Sequence, residues 1–403
     1  MKKIIIFFII LILSLSVFAD KLDQYIFLFS YDKLVNSKDK GLNVLGLLLK
    51  YHESNYEEYK STANIYRSNL YNYFSPDDST ALNILTEINP YEYLKPKKLF
   101  TDSLKNYPDS VILNALFIEF AFKDWESSGD PSIVQNIFAS CDTIESKKGQ
   151  NPLTVYYRAR ILWESKLFGD RTKAYNDLYE IYQKNRDSMK ITELLIRFTY
   201  QQNKTDIMNS LYETYSLLPD QDDETLIIFA KAFLKSDNEK SRMILENIVK
   251  ISERKNILAS AYEMLGDLSD TTAQKINFYK LSLEKDPDNP EIQAKLGLEY
   301  YRQSPKENLT ISRVFLNQAL SAGSQNPEAE KLLKIIQNKV KLRGFLLLVL
   351  PIIIFVALGV TLIIIYEKNK YSKEQQLMKK NDDNWVNNIK DIKNDDDENN
   401  KEK

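Results

Sequence analysis

Apolar residues recur at spacings of three and four through most of the chain. "TLIIFAKAFLK" (225–235), "NILASAYEMLG" (256–266) and "EIQAKLGLEYY" (291–301) each place them on one face of a helix. Short polar loops with Asp, Asn, Gly or Pro separate such stretches, so the pattern predicts helix after helix. The units share a length. The apolar position near the end of every second helix falls at Tyr182, Tyr215, Val249, Leu283 and Leu320, at intervals of 33, 34, 34 and 37 residues. One helix pair of this size has an apolar face too large to leave wet and too small to form a core alone, so stacking must bury it.

Two uniformly apolar runs interrupt the periodicity. In "MKKIIIFFIILILSLSVFAD", Lys2 and Lys3 precede an apolar run from Ile4 to Val17, and Val17 and Ala19 occupy the −3 and −1 places before Asp20. That is the layout of a secretory signal, 1–19, cleaved after Ala19; the alternative is an uncleaved anchor, and either sends the chain beyond it across a membrane. Phe345 to Ile365 has 21 residues and no charge. As a helix it is about 31 Å long, enough to span a bilayer, with a kink expected at Pro351. The flanks carry five Lys/Arg in the fifteen residues on either side, so they do not orient it. The N-terminal signal does, placing 20–343 outside a bacterial inner membrane, in the periplasm, and 366–403 in the cytoplasm.

Between these runs the residues resemble the tetratricopeptide repeat family, a 34-residue helix–turn–helix with an L-G-x2-Y signature. Leu296, Gly297 and Tyr300 fill those slots in one unit, and Leu258, Ala259 and Tyr262 in the unit before, with Gly266-Asp267-Leu268 at its turn. Tyr279 and Pro287 match the late aromatic and the closing proline. Leu194, Leu195 and Phe198, then Leu211 and Pro219, belong to an earlier unit, as Ala174 and Leu178 do to another. Trp fills no tryptophan slot in these units, and four extra residues lengthen the turn after Leu268. The resemblance implies an all-α fold, a right-handed superhelical solenoid of helix pairs. About five units are expected over 152–323, divergent repeat-like helices over 77–151, and an irregular helical cap over 20–76. A capping, juxtamembrane helix is expected over 324–344, from Pro327 and the apolar face Leu332, Leu333, Ile336 and Val340. It leads into the span with only Gly344 as a joint.

Composition narrows the chemistry. The formal net charge is −2 and no basic stripe with interleaved aromatics stands out, so nucleic acid is not expected as a partner. One cysteine, Cys141, and one histidine, His52, exclude a disulfide framework and cysteine- or histidine-rich metal sites. Cys141 reads as a small core residue and His52 as a surface side chain. No G-x-S-x-G, P-loop, G-x-G-x-x-G or H-E-x-x-H is present, so no catalytic residue, cofactor or metal site is expected. The acidic turn "DPDNPEIQAKLG" tests poorly as a calcium loop from Asp286, because Pro290, Glu291 and Gly297 stand at the third-ligand, glycine and final-glutamate places. It reads instead as a seam between repeats. Pro287 ends one helix, Asp288 or Asn289 caps the next, and Pro290 opens it.

What remains is binding by shape. The resemblance implies a groove lined by the first helix of each pair, holding a peptide or helix of another envelope or membrane protein. It places Tyr156, Ala159, Trp163 and Lys166 on one such helix, and Glu291, Ala294, Leu298, Tyr301 and Arg302 on another. Packing against a neighbouring helix is the alternative for Trp163 and Tyr301. The tail is expected to be disordered from Asn381 onward. Trp385, Val386, Ile389 and Ile392 share one helical face there, as a short cytoplasmic docking motif or as chance clustering. The function expected is a membrane-anchored scaffold without catalysis of its own. The rival is an enzyme or receptor binding a small envelope ligand, such as a glycan, through 20–150.

Overall fold

A computed structural model describes residues 31–54, 56–68, 75–89, 94–219 and 221–399. The proposed signal segment and its cleavage site lie outside them. The described residues are helical, with no strand among them, and the chain divides into two compact units, Met1–Leu268 and Ser269–Lys403.

Helix starts are dictated by the sequence. Ser75, Asp130, Asn151, Asn289 and Asn326 each accept a backbone N–H from the first turn of the next helix, and each precedes a proline at the first helical position. The cap satisfies a donor that the helix cannot, and proline supplies its fixed φ where no N–H is needed. At the acidic turn Asn289 is the cap, its Oδ1 accepting from the Glu291 and Ile292 amides at 3.2 and 3.3 Å. The preceding helix, Thr272–Lys285, ends two residues before Pro287.

In the first unit, first helices run Lys40–Ser54, Pro76–Glu87, Val111–Ser128, Pro152–Glu164, Met189–Gln201, Asp223–Phe233 and Lys255–Asp267, and each touches the next in this series. Second helices lie between them in sequence, from Glu57–Ser68 to Asn238–Ile251. The alternation therefore begins near Lys40, within the segment expected to be an irregular cap. There the repeat is carried mainly by helix length and burial, with Leu45-Gly46 a fragment of the L-G-x2-Y signature and Leu49 at its tyrosine place. A continuous core runs from Leu34 to Ile161 and includes Leu48, Leu85, Phe100 and Phe120.

In the second unit, Thr272–Lys285 packs on Pro290–Gln303, which packs on both Leu309–Ser321 and Pro327–Gly344. The closest approach is at Gly297. A methyl group there would lie 2.9 Å from Leu316 Cγ and 3.2 Å from the Leu316 nitrogen. Ser312 Oγ donates to the Gly297 carbonyl at 2.7 Å, as Ser241 Oγ does to Ala230 at 2.9 Å in the first unit. A small residue on the first helix and a serine on the second thus join the two helices of a pair.

Pro327–Gly344 continues without a break into a π-helical turn, Phe345–Val349, and then a helix, Leu350–Asn399. Gly344 is helical, not a joint. The π turn answers Pro351, which has no N–H to donate back along the helix; the Leu350 amide donates to Phe345 one residue further than in an α-helix. The tail, expected to be disordered from Asn381, is helical through Asn399. It has no Gly or Pro after Gly359 to interrupt the segment.

His52 is not a surface residue. It is buried, its ring packs edge-on to Phe120, and Nε2 lies 2.7 Å from the Leu85 carbonyl. That contact makes Nε2 the donor, and Nδ1 is buried without a partner. Burial therefore lowers its pKa from 6.5 to about 4 despite the carbonyl. Apolar periodicity puts His52 next to Tyr51 on an interior face, which its polar neighbours in sequence obscure. Cys141 is fully buried, and burial raises its thiol to about 12.

Gly297→Val will destabilise the chain by about 1–3 kcal/mol in denaturant unfolding, because Leu316 backbone as well as side chain must move. For His52, the unfolded chain takes up a proton below pH 6.5 that the folded chain refuses until about 4. Its contribution is present above pH 6.5 and is lost, by about 3 kcal/mol, as pH falls to 4. His52→Gln retains a donor for Leu85, so subtracting its stability-versus-pH curve from the wild-type curve isolates this loss; a flat difference refutes it.

Candidate functional site

The first-helix residues singled out by sequence turn toward the seam between one first helix and its neighbours. Trp163 is buried, 5% exposed, and lies flat on Phe198 with ring centroids 3.8 Å apart. Its Nε1 donates to Gln201 Oε1 at 2.5 Å, and the Arg171 guanidinium lies over the ring. Tyr156 is half-buried against the first unit's core and edge-on to Tyr157; burial pushes its phenol pKa up against the pull of Arg160. Ala159 is buried and Lys166 is exposed in the turn after the helix. Arg160, beside Tyr156 on this face, donates to Glu126 of the preceding first helix at 2.6 Å and to Glu164 at 3.0 Å.

The second set repeats this arrangement within the second unit. Leu298 and Ala294 are in the core with Leu316, Leu333 and Ile336. Glu291 Oε1 accepts from Ser324 Oγ at 2.8 Å and from the Gln325 amide at 3.1 Å. Tyr301 accepts from Lys339 Nζ at 2.7 Å, and the same ammonium lies over its ring. Arg302 donates to Glu299 and to Glu328, both at 2.5 Å. Burial opposes the charge on Arg302, but the two carboxylates outweigh it and hold the guanidinium above its ordinary pKa. Tyr301, Arg302 and Glu291 thus keep partly or fully exposed side chains that are already tied to Pro327–Gly344 and the turn before it. In the tail, Trp385 and Val386 are exposed, while the side chains of Ile389 and Ile392 lie outside the described residues.

The partners Gln201, Lys339, Glu328 and Ser324 were not singled out by sequence reasoning. Trp163 to Gln201 and Tyr301 to Lys339 are both separated by 38 residues, and Glu291 to Ser324 by 33. Pairing polar residues about one repeat apart is the signal that finds Gln201, Lys339 and Ser324; Glu328, 26 residues from Arg302, falls outside it.

The fold these features define is a helical repeat: helix pairs of recurring length, contact between successive first helices, and a small residue where the two helices of a pair meet. No protein-family model matches the chain, and no curated protein does. Among solved structures it is similar to a chain of the APC/C hetero-tetramer Cut9–Hcn1, with 13% identity and a TM-score of 0.44, over 76% of this chain and 58% of that one. It is also similar to yeast Tom70, with 12% identity and a TM-score of 0.35, over 70% of this chain and 68% of that one.

Trp163→Ala will lower stability by about 3–5 kcal/mol, because it empties a stacked, hydrogen-bonded core position. Lys166→Ala, at an exposed side chain in the turn after the same helix, will cost no more than about 0.5 kcal/mol. Thermal melts followed by circular dichroism distinguish the two; equal, small losses would contradict the buried position of Trp163.

Proposed function

We propose that the chain is a membrane-anchored scaffold that holds another envelope or membrane protein along its first-helix face, with residues 20–343 outside a bacterial inner membrane and 366–403 in the cytoplasm. One observation carries the anchoring. Among the described residues one helix is long and apolar enough to cross a membrane. Every Leu, Ile, Val and Phe from 345 to 365 on it is exposed, between 38% and 78%. In water so long an apolar surface is strongly unfavourable, and in a bilayer it is solvated while the helix satisfies its own backbone. The orientation rests on the N-terminal signal-like sequence.

The scaffold reading rests on the same repeat that lines up first helices. Tyr156 and Lys166 in the first unit, and Tyr301 and Arg302 in the second, are reached from solvent, whereas Trp163 and Leu298 are buried within their own units. Arginine and tyrosine are frequent interface anchors, since they combine area with directional hydrogen bonds. Trp385 and Val386 offer a second, cytoplasmic contact of the same kind.

Protease added to spheroplasts will digest residues 31–343 and leave a C-terminal epitope protected; the reverse pattern sinks the orientation. A photo-crosslinking residue at Lys166 or Arg302, in intact cells, will capture one discrete polypeptide. Folded protein with no adduct from either position, or from Tyr156, would remove the scaffold reading.

A further inference from the structure

An open cavity of about 830 Å³ lies where the second unit meets the apolar helix. Its walls come from the turn after Pro290–Gln303, the start of Leu309–Ser321 and the junction of Pro327–Gly344 with Phe345–Val349. Four cations line it, Lys306, Arg313, Lys339 and Arg343, and no carboxylate does. Lys306, Arg313 and Arg343 make no ion pair among the described residues, in a unit where Arg302 and Lys334 are paired. Lys339 is held at this wall by its bond to Tyr301. Apart from Thr310 the remaining lining is apolar: Leu309 and Val340 on the solenoid side, then Leu342, Leu346 and Leu347, which lead onto the exposed apolar helix.

Charge and apolarity are therefore ordered along one axis. The cations sit at the level where the apolar segment begins, and Leu346 and Leu347 carry the lining into its first turn. A soluble anion uses the first part only, and a neutral lipid the second only. An anionic phospholipid uses both, with its phosphodiester among the four cations and an acyl chain along Leu342, Leu346 and Leu347. From this we infer that the cavity is a binding site for an anionic phospholipid on the solenoid side of the membrane. The inference rests on the membrane anchoring proposed above. Basic side chains next to a membrane attract anionic headgroups by about 1 kcal/mol each, and convergence of four in one cavity turns that attraction into a site. Occupation would fix the angle between the last helix pair and the membrane helix, because Lys306 and Arg313 belong to the former and Arg343 to the latter.

The test uses the full chain, reconstituted in vesicles of phosphatidylcholine alone or mixed with phosphatidylglycerol, then extracted gently for native mass spectrometry. The wild-type chain is expected to enter both kinds of vesicle and to retain phosphatidylglycerol in preference to phosphatidylcholine. Lys306→Gln with Arg313→Gln will reduce that retention at least about tenfold, while Lys331→Gln with Lys334→Gln, which removes the same charge from outside the cavity, will not. Inorganic phosphate in excess will fail to displace the lipid. Equal loss in the two double variants, or retention without headgroup preference, overturns the site but leaves the anchoring intact. Displacement by phosphate makes it a soluble-anion site and overturns the lipid. Failure to enter either vesicle sinks the anchoring and the site together. A photo-crosslinking residue at Leu342 that labels a polypeptide rather than lipid in cells also overturns it.

Discussion

The constraint on which the structure depends is that no helix pair can bury its own apolar surface. Leu296 and Tyr300 on a first helix, or Leu194 and Phe198 in an earlier one, belong to a face that must be covered by something outside the pair. The answer is repetition, since the next pair presents the complementary surface and then needs covering in turn. Within each pair, close approach holds the two helices together as one stacking unit. Gly297 lets Leu316 reach the backbone of the facing helix, and Ser312 and Ser241 satisfy carbonyls at positions where helix meets helix. Such an array ends where the outer face of the last helix is polar enough to stay in water. Pro327–Gly344 is that helix here, buried at Ala329, Leu333 and Ile336 and exposed elsewhere.

Much of this was legible in the chain, because apolar periodicity and capping are local. Asn289-Pro290 and Asn326-Pro327 announce helix starts without any knowledge of tertiary structure, and the recurrence of about 34 residues announces the stack. What was not legible required knowing what lies across from a residue. His52 sits among polar neighbours in sequence, yet Phe120 and Leu85 enclose it from other helices. The pairs from 40 to 148 keep only fragments of the signature, such as Leu45-Gly46, so their regularity emerges only once their helices are seen side by side. The tail is polar enough to suggest disorder, but polarity does not by itself interrupt a helix that has already been nucleated and contains no glycine or proline.

The candidate face shows the same division. Sequence placed Tyr156, Trp163, Tyr301 and Arg302 on first helices, but their depth depends on the partner one repeat later. Trp163 meets Phe198 and Gln201 and lies in the core, whereas Tyr301 meets a lysine and stays half open. Equivalent positions in a repeat thus differ in accessibility because the neighbouring repeat differs. The pattern alone assigns a face to a residue; the next first helix decides whether that face is wet.

The uninterrupted helix beyond Gly344 has a metrical consequence. Trp385 lies twenty residues of continuous helix beyond Ile365, which sets it about 30 Å from the end of the apolar segment. A flexible tail would let Trp385 sample every distance up to its contour length and would spread any contact over that range. A helical one acts as a spacer of fixed length, so whatever meets Trp385 and Val386 must do so about 30 Å beyond the end of the apolar segment.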